Sequence, residues 1–344
     1  MTPEARVRAG FATQARWCEA MAAPFMSRLC TLIPDALDRS TVTGARILDW
    51  PGDPIADALP MRLTGGLNAL VRRGRLPALA AHYPPHRAGG DLAAVLAAAI
   101  RDADAELQPW LDGPPQTNEV ARSGVLMAGL LVIAAETGLS VELFELGASA
   151  GLNLRLDAYG YRLGGTVVDR PGAPVELIPR WQGASPPAAP VVVAARRGVD
   201  VNPLDVTDPA TRERLLAYVW PEQAERVERL ARALDAAAAD PPPIDREDAA
   251  GWVERHVVPR PGLTRVVLHS IAFQYFPADT QARIAAHLAA QGGLATAEAP
   301  IAWLRFELEP GHELPSLRLT SWPGGADRRL AWAHPHGARV DWLL

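Results

Sequence analysis

The sequence predicts an α/β protein: a mostly parallel sheet with an antiparallel C-terminal edge, preceded by a helical N-terminal region. Three observations carry this. Up to residue 117 apolar residues recur at helical spacing between Pro- and Gly-rich turns, with no alternating strand. From Asn118 on, helical segments alternate with short β-branched runs, the pattern of a sheet layered with helices. From Leu314 to the end the alternation has period two, as hairpins require. The expected division is a helical cap region over 1–117 and an α/β core over 118–344, with an insertion at about 155–190.

In the first region the spacing predicts a helix over Ala12–Leu32 with a kink at Pro24, a shorter one over Leu67–His82, and one capped by Asp91 that runs to Leu107. The second region opens with a helix over Asn118–Thr137 closed by Gly138. Strands follow at Val141–Leu146, Val191–Ala195, Arg265–His269 and Ile301–Glu307. Between them lie a helix over Arg212–Ala238 and one that Asp279 caps and Gly292 ends. Leu314–Trp322, Arg328–Ala333 and Ala338–Leu343 are the closing strands.

Composition excludes several chemistries. The chain has 344 residues, 49% hydrophobic and 21% charged, enough for a large core. All 34 basic residues are arginine. With no lysine there is no Schiff base, no pyridoxal phosphate anchor and no P-loop or kinase lysine. A net charge of −5 argues against a nucleic-acid partner, which favours a basic stripe. Cys18 and Cys30 are too far apart for a Cys-x-x-Cys site and have no third partner. No signal peptide is visible, and the longest apolar run, Val125–Ala135, is well short of the ~20 residues of a membrane span. A cytoplasmic location away from membranes is expected. His334 and His336 flank Pro335 in a turn, and two ligands make no metal site.

The informative motif is Val141-Glu-Leu-Phe-Glu-Leu-Gly-Ala-Ser-Ala-Gly-Leu-Asn153. A strand runs into a turn of small residues and then opens what reads as a helix. A dinucleotide site would show Gly-x-Gly-x-x-Gly, and Glu145 just before the turn would repel a pyrophosphate while suiting a cation. A nucleophile elbow fits Gly147-x-Ser149-x-Gly151 letter for letter, with His269, His334 or His336 as a later base. Several strands normally precede such an elbow, whereas here a long helical region does.

The third reading is a resemblance. An acidic residue, a spacer and a glycine-rich turn after the first strand are similar to the first motif of class I S-adenosylmethionine-dependent methyltransferases, over about Asn118–Leu344. The string Glu-Leu-Gly-Ala-Ser-Ala-Gly-Leu-Asn-Leu also resembles an uncharacterised bacterial family built on that core. The resemblance implies a Rossmann-like methyltransferase core with a seven-stranded sheet and an antiparallel C-terminal hairpin. It implies S-adenosylmethionine as cofactor and transfer of its methyl group to an unknown small-molecule or protein acceptor.

Carried onto this chain, the resemblance makes Gly147 and Gly151 the backbone-approach positions. Ser149 stands where a middle glycine is common. Glu145 lies near the ligand ammonium, Asp200 at the ribose and Asp248 on the adenine side. Asp169 is the rival for the ribose, set aside because Gly164-Gly165 makes Tyr161–Asp169 read as an inserted hairpin. His269, Ser270 and Tyr275 fall at and beyond a strand's C-terminal end, where open α/β sheets bind ligands. His269 or Tyr275 would orient or deprotonate an acceptor. Arg122, near the N-terminus of the helix that leads into the first strand, would pair with the cofactor carboxylate; the alternative is a surface arginine on a helix capped by Thr117 or Asn118. A serine hydrolase or acyltransferase built on Ser149, and a methyltransferase-like scaffold without catalysis, are the competing functions.

Overall fold

Residues 2–86 and 88–344 are described by a computed structural model, in which the chain divides into two units. One ends at Thr117 and takes in Asp208–Ala231; the other comprises Asn118–Thr207 and Arg232–Leu344. The helices are α1 (Pro3–Ala20), α2 (Pro24–Ala36), α3 (Val42–Leu48), α4 (Leu59–Arg72), α5 (Pro77–Ala80), α6 (Leu92–Asp102), α7 (Asp104–Leu111), α8 (Arg122–Thr137), α9 (Pro209–Ala217), α10 (Ala224–Ala239), α11 (Ala249–His256) and α12 (Ala278–Gly292). None of them is long and apolar enough to cross a membrane.

Prolines account for most departures from the expected helices. Pro24 does not kink a single helix: it occupies the first turn of α2, where its missing N–H is no loss, and α1 has already ended. The expected helix over Arg212–Ala238 is likewise split, with Pro221 falling between α9 and α10. The helix expected from Asp91 to Leu107 is two, α6 and α7, meeting at Ala103. Asp91 caps α6 by accepting the amides of Ala93 and Ala94. Asp279, expected as a cap, lies in the first turn of α12, which starts after Pro277.

The helical unit buries Phe11, Leu29, Ile33, Leu63, Leu67 and Trp220 in one cluster. At ~1.5–3 kcal/mol for each fully buried large side chain, this core is the main stabilising term of that unit.

The strands are β1 (Ser140–Leu146), β2 (Gly160–Leu163), β3 (Thr166–Val168), β4 (Glu176–Leu177), β5 (Arg180–Gln182), β6 (Val193–Asp200), β7 (Ile244–Arg246), β8 (Leu263–Ser270), β9 (Ile301–Leu308), β10 (Pro315–Trp322), β11 (Ala326–Ala333) and β12 (Arg339–Trp342). Nine of them form one sheet in the order β5-β12-β11-β10-β9-β8-β1-β6-β7, not the seven expected. The pairs from β7 through β6, β1 and β8 to β9 are parallel, as is β12 with β5. The antiparallel edge is a meander of β9, β10, β11 and β12 rather than a single hairpin. The hairpin expected around Gly164-Gly165 pairs Tyr161 with Val168, and β3-β2-β4 make a separate small sheet.

Helices cover both faces of the large sheet. On one, Trp252 and Val253 of α11 and Ile284 and Leu288 of α12 pack with Phe144, Leu146, Val199, Val267 and Trp303. On the other, α8 comes so close that a Cβ on Gly129 would lie 2.5 Å from Leu304 Cδ1. Strands buried on both faces need near-continuous apolar runs, which is why β1 and β8 were legible as such.

Candidate functional site

The register sets the site. Leu146 pairs with Val199 and Glu145 with Leu268, so Gly147, Asp200 and Ser270 emerge level at the C-terminal edge. The chain continues from β1 to β6 and β7 on one side and then to β8 and β9 on the other. Such a switch in strand order is where open α/β sheets bind ligands.

The turn after β1 is built from left-handed residues: Gly147 (φ +67°), Ser149 (φ +54°) and Gly151 (φ +69°). The chain itself fills the space beside both glycines. A Cβ on Gly147 would lie 2.7 Å from Ala272 Cβ, and one on Gly151 2.5 Å from Pro242 Cγ. The amides of the turn are also engaged. Gly147 and Ala148 donate to Val199 O, Ser149 to Asp200 Oδ2 at 2.8 Å, and Leu152 to Asn118 Oδ1 at 2.9 Å. A phosphate cradle needs such amides free. The helix expected to follow is only a 3-10 segment, Asn153–Ala158, broken at Arg155.

Beneath the turn Glu145 is 2% exposed, and its Oε2 has no hydrogen-bond partner among the described residues. Burial pushes its pKa up to about 8; the Asp200 charge adds to the rise, while hydrogen bonds from Asn153 and the Leu154 backbone and the charge of Arg122 oppose it. Asn153 in turn accepts the Ser123 hydroxyl at 2.7 Å. Ser149 Oγ is buried with no hydrogen-bond partner among the described residues, so no histidine activates it in this arrangement. Asp200 is half-buried; its second oxygen accepts the Asn202 amide at 2.8 Å. Asp169 directly follows β3, which belongs to the small sheet and not to the large sheet that carries this edge.

The remaining expected residues hold the surrounding structure. Asp248 caps α11 through the amides of Ala250 and Gly251 and accepts the Thr280 hydroxyl at 3.1 Å. Arg122 reaches the same edge and donates to the carbonyls of Ser270 (3.0 Å) and Pro335 (2.9 Å). His269 is fully buried: Nδ1 meets Glu307 Oε1 at 2.7 Å and Nε2 accepts the Trp303 indole N–H at 3.0 Å. That network assigns a neutral ring with its proton on Nδ1. Tyr275, 76% exposed, sits on the short 3-10 turn Phe273–Tyr275 just beyond β8. His334 and His336 pack ring to ring, and no group of three His, Cys, Asp or Glu side chains is placed to hold a metal ion among the described residues.

Two groups escaped the sequence reading. Glu307 Oε1 also accepts the amides of Ala272 and Phe273 and so fixes the loop after β8. Its signal was an acid at the end of a strand, recognisable only once β9 is known to neighbour β8. Asn118 and Asn153 brace the glycine turn from elements on either side of it in sequence. Ile271 (φ +48°), a β-branched residue in the left-handed region, marks the same loop as strained.

A family model described as an uncharacterized protein conserved in bacteria (DUF2332) matches residues 8–342, and the chain belongs to that family. No curated protein and no solved structure was found to match it.

Proposed function

We propose, for this member of that family, that the chain binds S-adenosylmethionine at the C-terminal edge of β1, β6 and β8 and transfers a methyl group to a small-molecule or protein acceptor. One observation carries the reading: Asp200, ending the strand beside β1, lies with Oδ2 2.8 Å from the Ser149 amide in the glycine turn. An acid at that place has lone pairs left on both oxygens for a ribose diol. The buried, unpartnered Oε2 of Glu145 fits an ammonium donor, and a cation there would favour its ionised form. Gly147, Ser149 and Gly151 shape the turn between these acids. Ser270, at the end of β8, would stand beside the cofactor and Tyr275 on the side from which an acceptor would enter, and Glu307 with His269 keeps that loop in place.

When bound, the cofactor supplies an electrophilic methyl group on a sulfonium. The chain's part is to align the acceptor and exclude water, and no strong base is required of it. A second reading, a methyltransferase-like scaffold without catalysis, is favoured by the engagement of Asp248, Arg122 and His269 in holding their own chain.

Calorimetric titration with S-adenosylmethionine and with S-adenosylhomocysteine tests the proposal. Binding near micromolar, about −8 kcal/mol, is expected. No heat and no thermal stabilisation at millimolar ligand would overturn it, and labelling of Ser149 by a fluorophosphonate would move the assignment to acyl chemistry. Binding without methyl transfer to any acceptor class would favour the scaffold.

A further inference from the structure

Two acids meet at the turn after β1, and the fold supplies them unequally. Asp200 is half-buried and accepts one backbone amide on each oxygen, from Ser149 and Asn202, both at 2.8 Å. Glu145 is 2% exposed. Hydrogen bonds from Asn153 and the Leu154 amide reach its carboxyl, but Oε2 has no hydrogen-bond partner among the described residues. Ser149 Oγ, buried in the same turn, is a second polar atom without one.

The groups that face Glu145 do not offset its burial. Asp200 on β6 repels a charge there, and Arg122 on α8, which donates to the carbonyls of Ser270 and Pro335, attracts it. Tyr159, after the 3-10 segment, is neutral, because burial raises its phenol well above the usual range. The register partner of Glu145 on β8 is Leu268, which carries no charge. A buried carboxylate with no cation against it is costly, and a carboxyl in that position keeps its proton instead, here up to about pH 8. An ammonium at Oε2 would supply both the missing donor and the missing charge.

We propose, resting on the reading of this edge as an S-adenosylmethionine site, that the cofactor's ammonium displaces the proton of Glu145, so that binding is coupled to the release of one proton. The carboxyl O–H bond breaks, its electron pair stays on the carboxylate, the proton passes to the buffer, and an ammonium N–H donates to Oε2. Affinity then rises with pH, about tenfold per unit, while the free site is protonated. The rise ends where the ligand's own α-amino group loses its charge, at about 7.7–8.0.

Calorimetry of the full chain with S-adenosylhomocysteine tests this at pH 6.5 in phosphate and in imidazole, buffers of different ionisation heat. The two heats should differ by the amount that about one released proton produces, and affinity should rise about tenfold from pH 6 to pH 7. 5′-Methylthioadenosine, which lacks the ammonium, should release none. Glu145→Gln should release none with S-adenosylhomocysteine and show no pH slope. Binding of S-adenosylhomocysteine without proton release, or release that persists in Glu145→Gln or with methylthioadenosine, would overturn the coupling and leave the cofactor reading standing. No binding of S-adenosylhomocysteine or S-adenosylmethionine at millimolar ligand anywhere from pH 6 to pH 8 would overturn that reading, and the coupling with it.

Discussion

The Asp200 carboxylate accepts the backbone N–H of Ser149 at 2.8 Å, tying the last residue of β6 to the crown of the turn that follows β1. Its other oxygen takes the Asn202 amide, so one side chain braces two backbone segments. Ser149 holds a left-handed φ of +54°, a conformation an L-residue keeps only when its neighbours enforce it. The acid proposed to hold the ribose therefore also shapes the turn beside it, and substitutions there read out on both stability and binding.

Two replacements separate those roles. Asp200→Ala removes both acceptors and leaves the Ser149 donor unpaired, with an expected loss of ~1–3 kcal/mol in unfolding free energy. Asp200→Asn keeps one carbonyl acceptor and should lose much less stability, yet it should bind S-adenosylmethionine at least tenfold more weakly than the wild type. Denaturation and calorimetry on both variants check this. An Asp200→Asn chain with undiminished affinity would remove Asp200 from the ribose.

Glu145 makes stability depend on pH. Its carboxyl goes from an ordinary 4.5 to about 8 in the fold because it is buried. Between those values the folded state keeps a proton that the unfolded state has released, so stability falls as pH rises, by up to ~1.4 kcal/mol per pH unit. The contribution is present in full below 4.5 and is lost as pH climbs through 8. Glu145→Gln, neutral throughout, should lack this slope and should be more stable than the wild type above pH 8. Midpoints measured at each pH from 4 to 9 check it. Parallel curves for the two chains would mean that the carboxyl is ionised inside the fold.

The elements legible in the sequence are those whose signal is local. β1, β8 and β9 carry β-branched or apolar runs, α8 has a glycine stop, and α6 has an aspartate cap. The strand expected at Val191–Ala195 overlaps β6 only at Val193–Ala195, because β6 continues through Arg196, Arg197 and Gly198 to Asp200. What escaped depends on distant partners. β5 joins the large sheet through β12, pairing Arg180 with Arg339, and its three residues have no pattern of their own. β7 is equally short and follows Pro241–Pro243. The same limit applies to the site. The resemblance, not spacing, singled out Glu145, Gly147, Gly151 and Asp200, which stand at one edge. The Asp248 cap on α11 is local, made by the amides two and three residues on, but its bond from Thr280 and the occupation of both nitrogens of His269 by Glu307 and Trp303 depend on partners far along the chain.

Alanine should be tolerated poorly at Gly151, in the glycine turn, and better at Gly138, which ends α8. Both have positive φ, +69° and +65°, so alanine at either meets the left-handed cost of ~1–2 kcal/mol. At Gly138 a Cβ would have nothing within 4 Å, whereas at Gly151 it would lie 2.5 Å from Pro242 Cγ and 2.9 Å from Ile244 Cδ1. Overpacking adds ~1–3 kcal/mol at the second position only. Urea denaturation of the two variants should show that excess. Equal losses would mean that Pro242 moves aside, and that the turn has more room for a ligand than its packing implies.

The sequence suggests that a chain beginning at Asn118 would be a complete core, but Asp208–Ala231 groups with the helical unit. Glu222 Oε1 accepts the amides of Phe25 and Met26 at the start of α2, at 3.0 and 3.1 Å. Asn68 donates to the carbonyls of Ala217 and Val219, Arg72 pairs with Glu213, and Trp220 lies in the helical core. Removing residues 1–117 alone would strip these partners away and expose Leu215, Tyr218 and Trp220, which are otherwise buried. That fragment should bind a hydrophobic dye and aggregate. The same fragment with 208–231 replaced by a flexible Gly/Ser linker should aggregate less, because the orphaned apolar surface is gone. Soluble yield and dye binding compare the two directly; identical behaviour would mean that the exposed surface lies elsewhere in Asn118–Leu344.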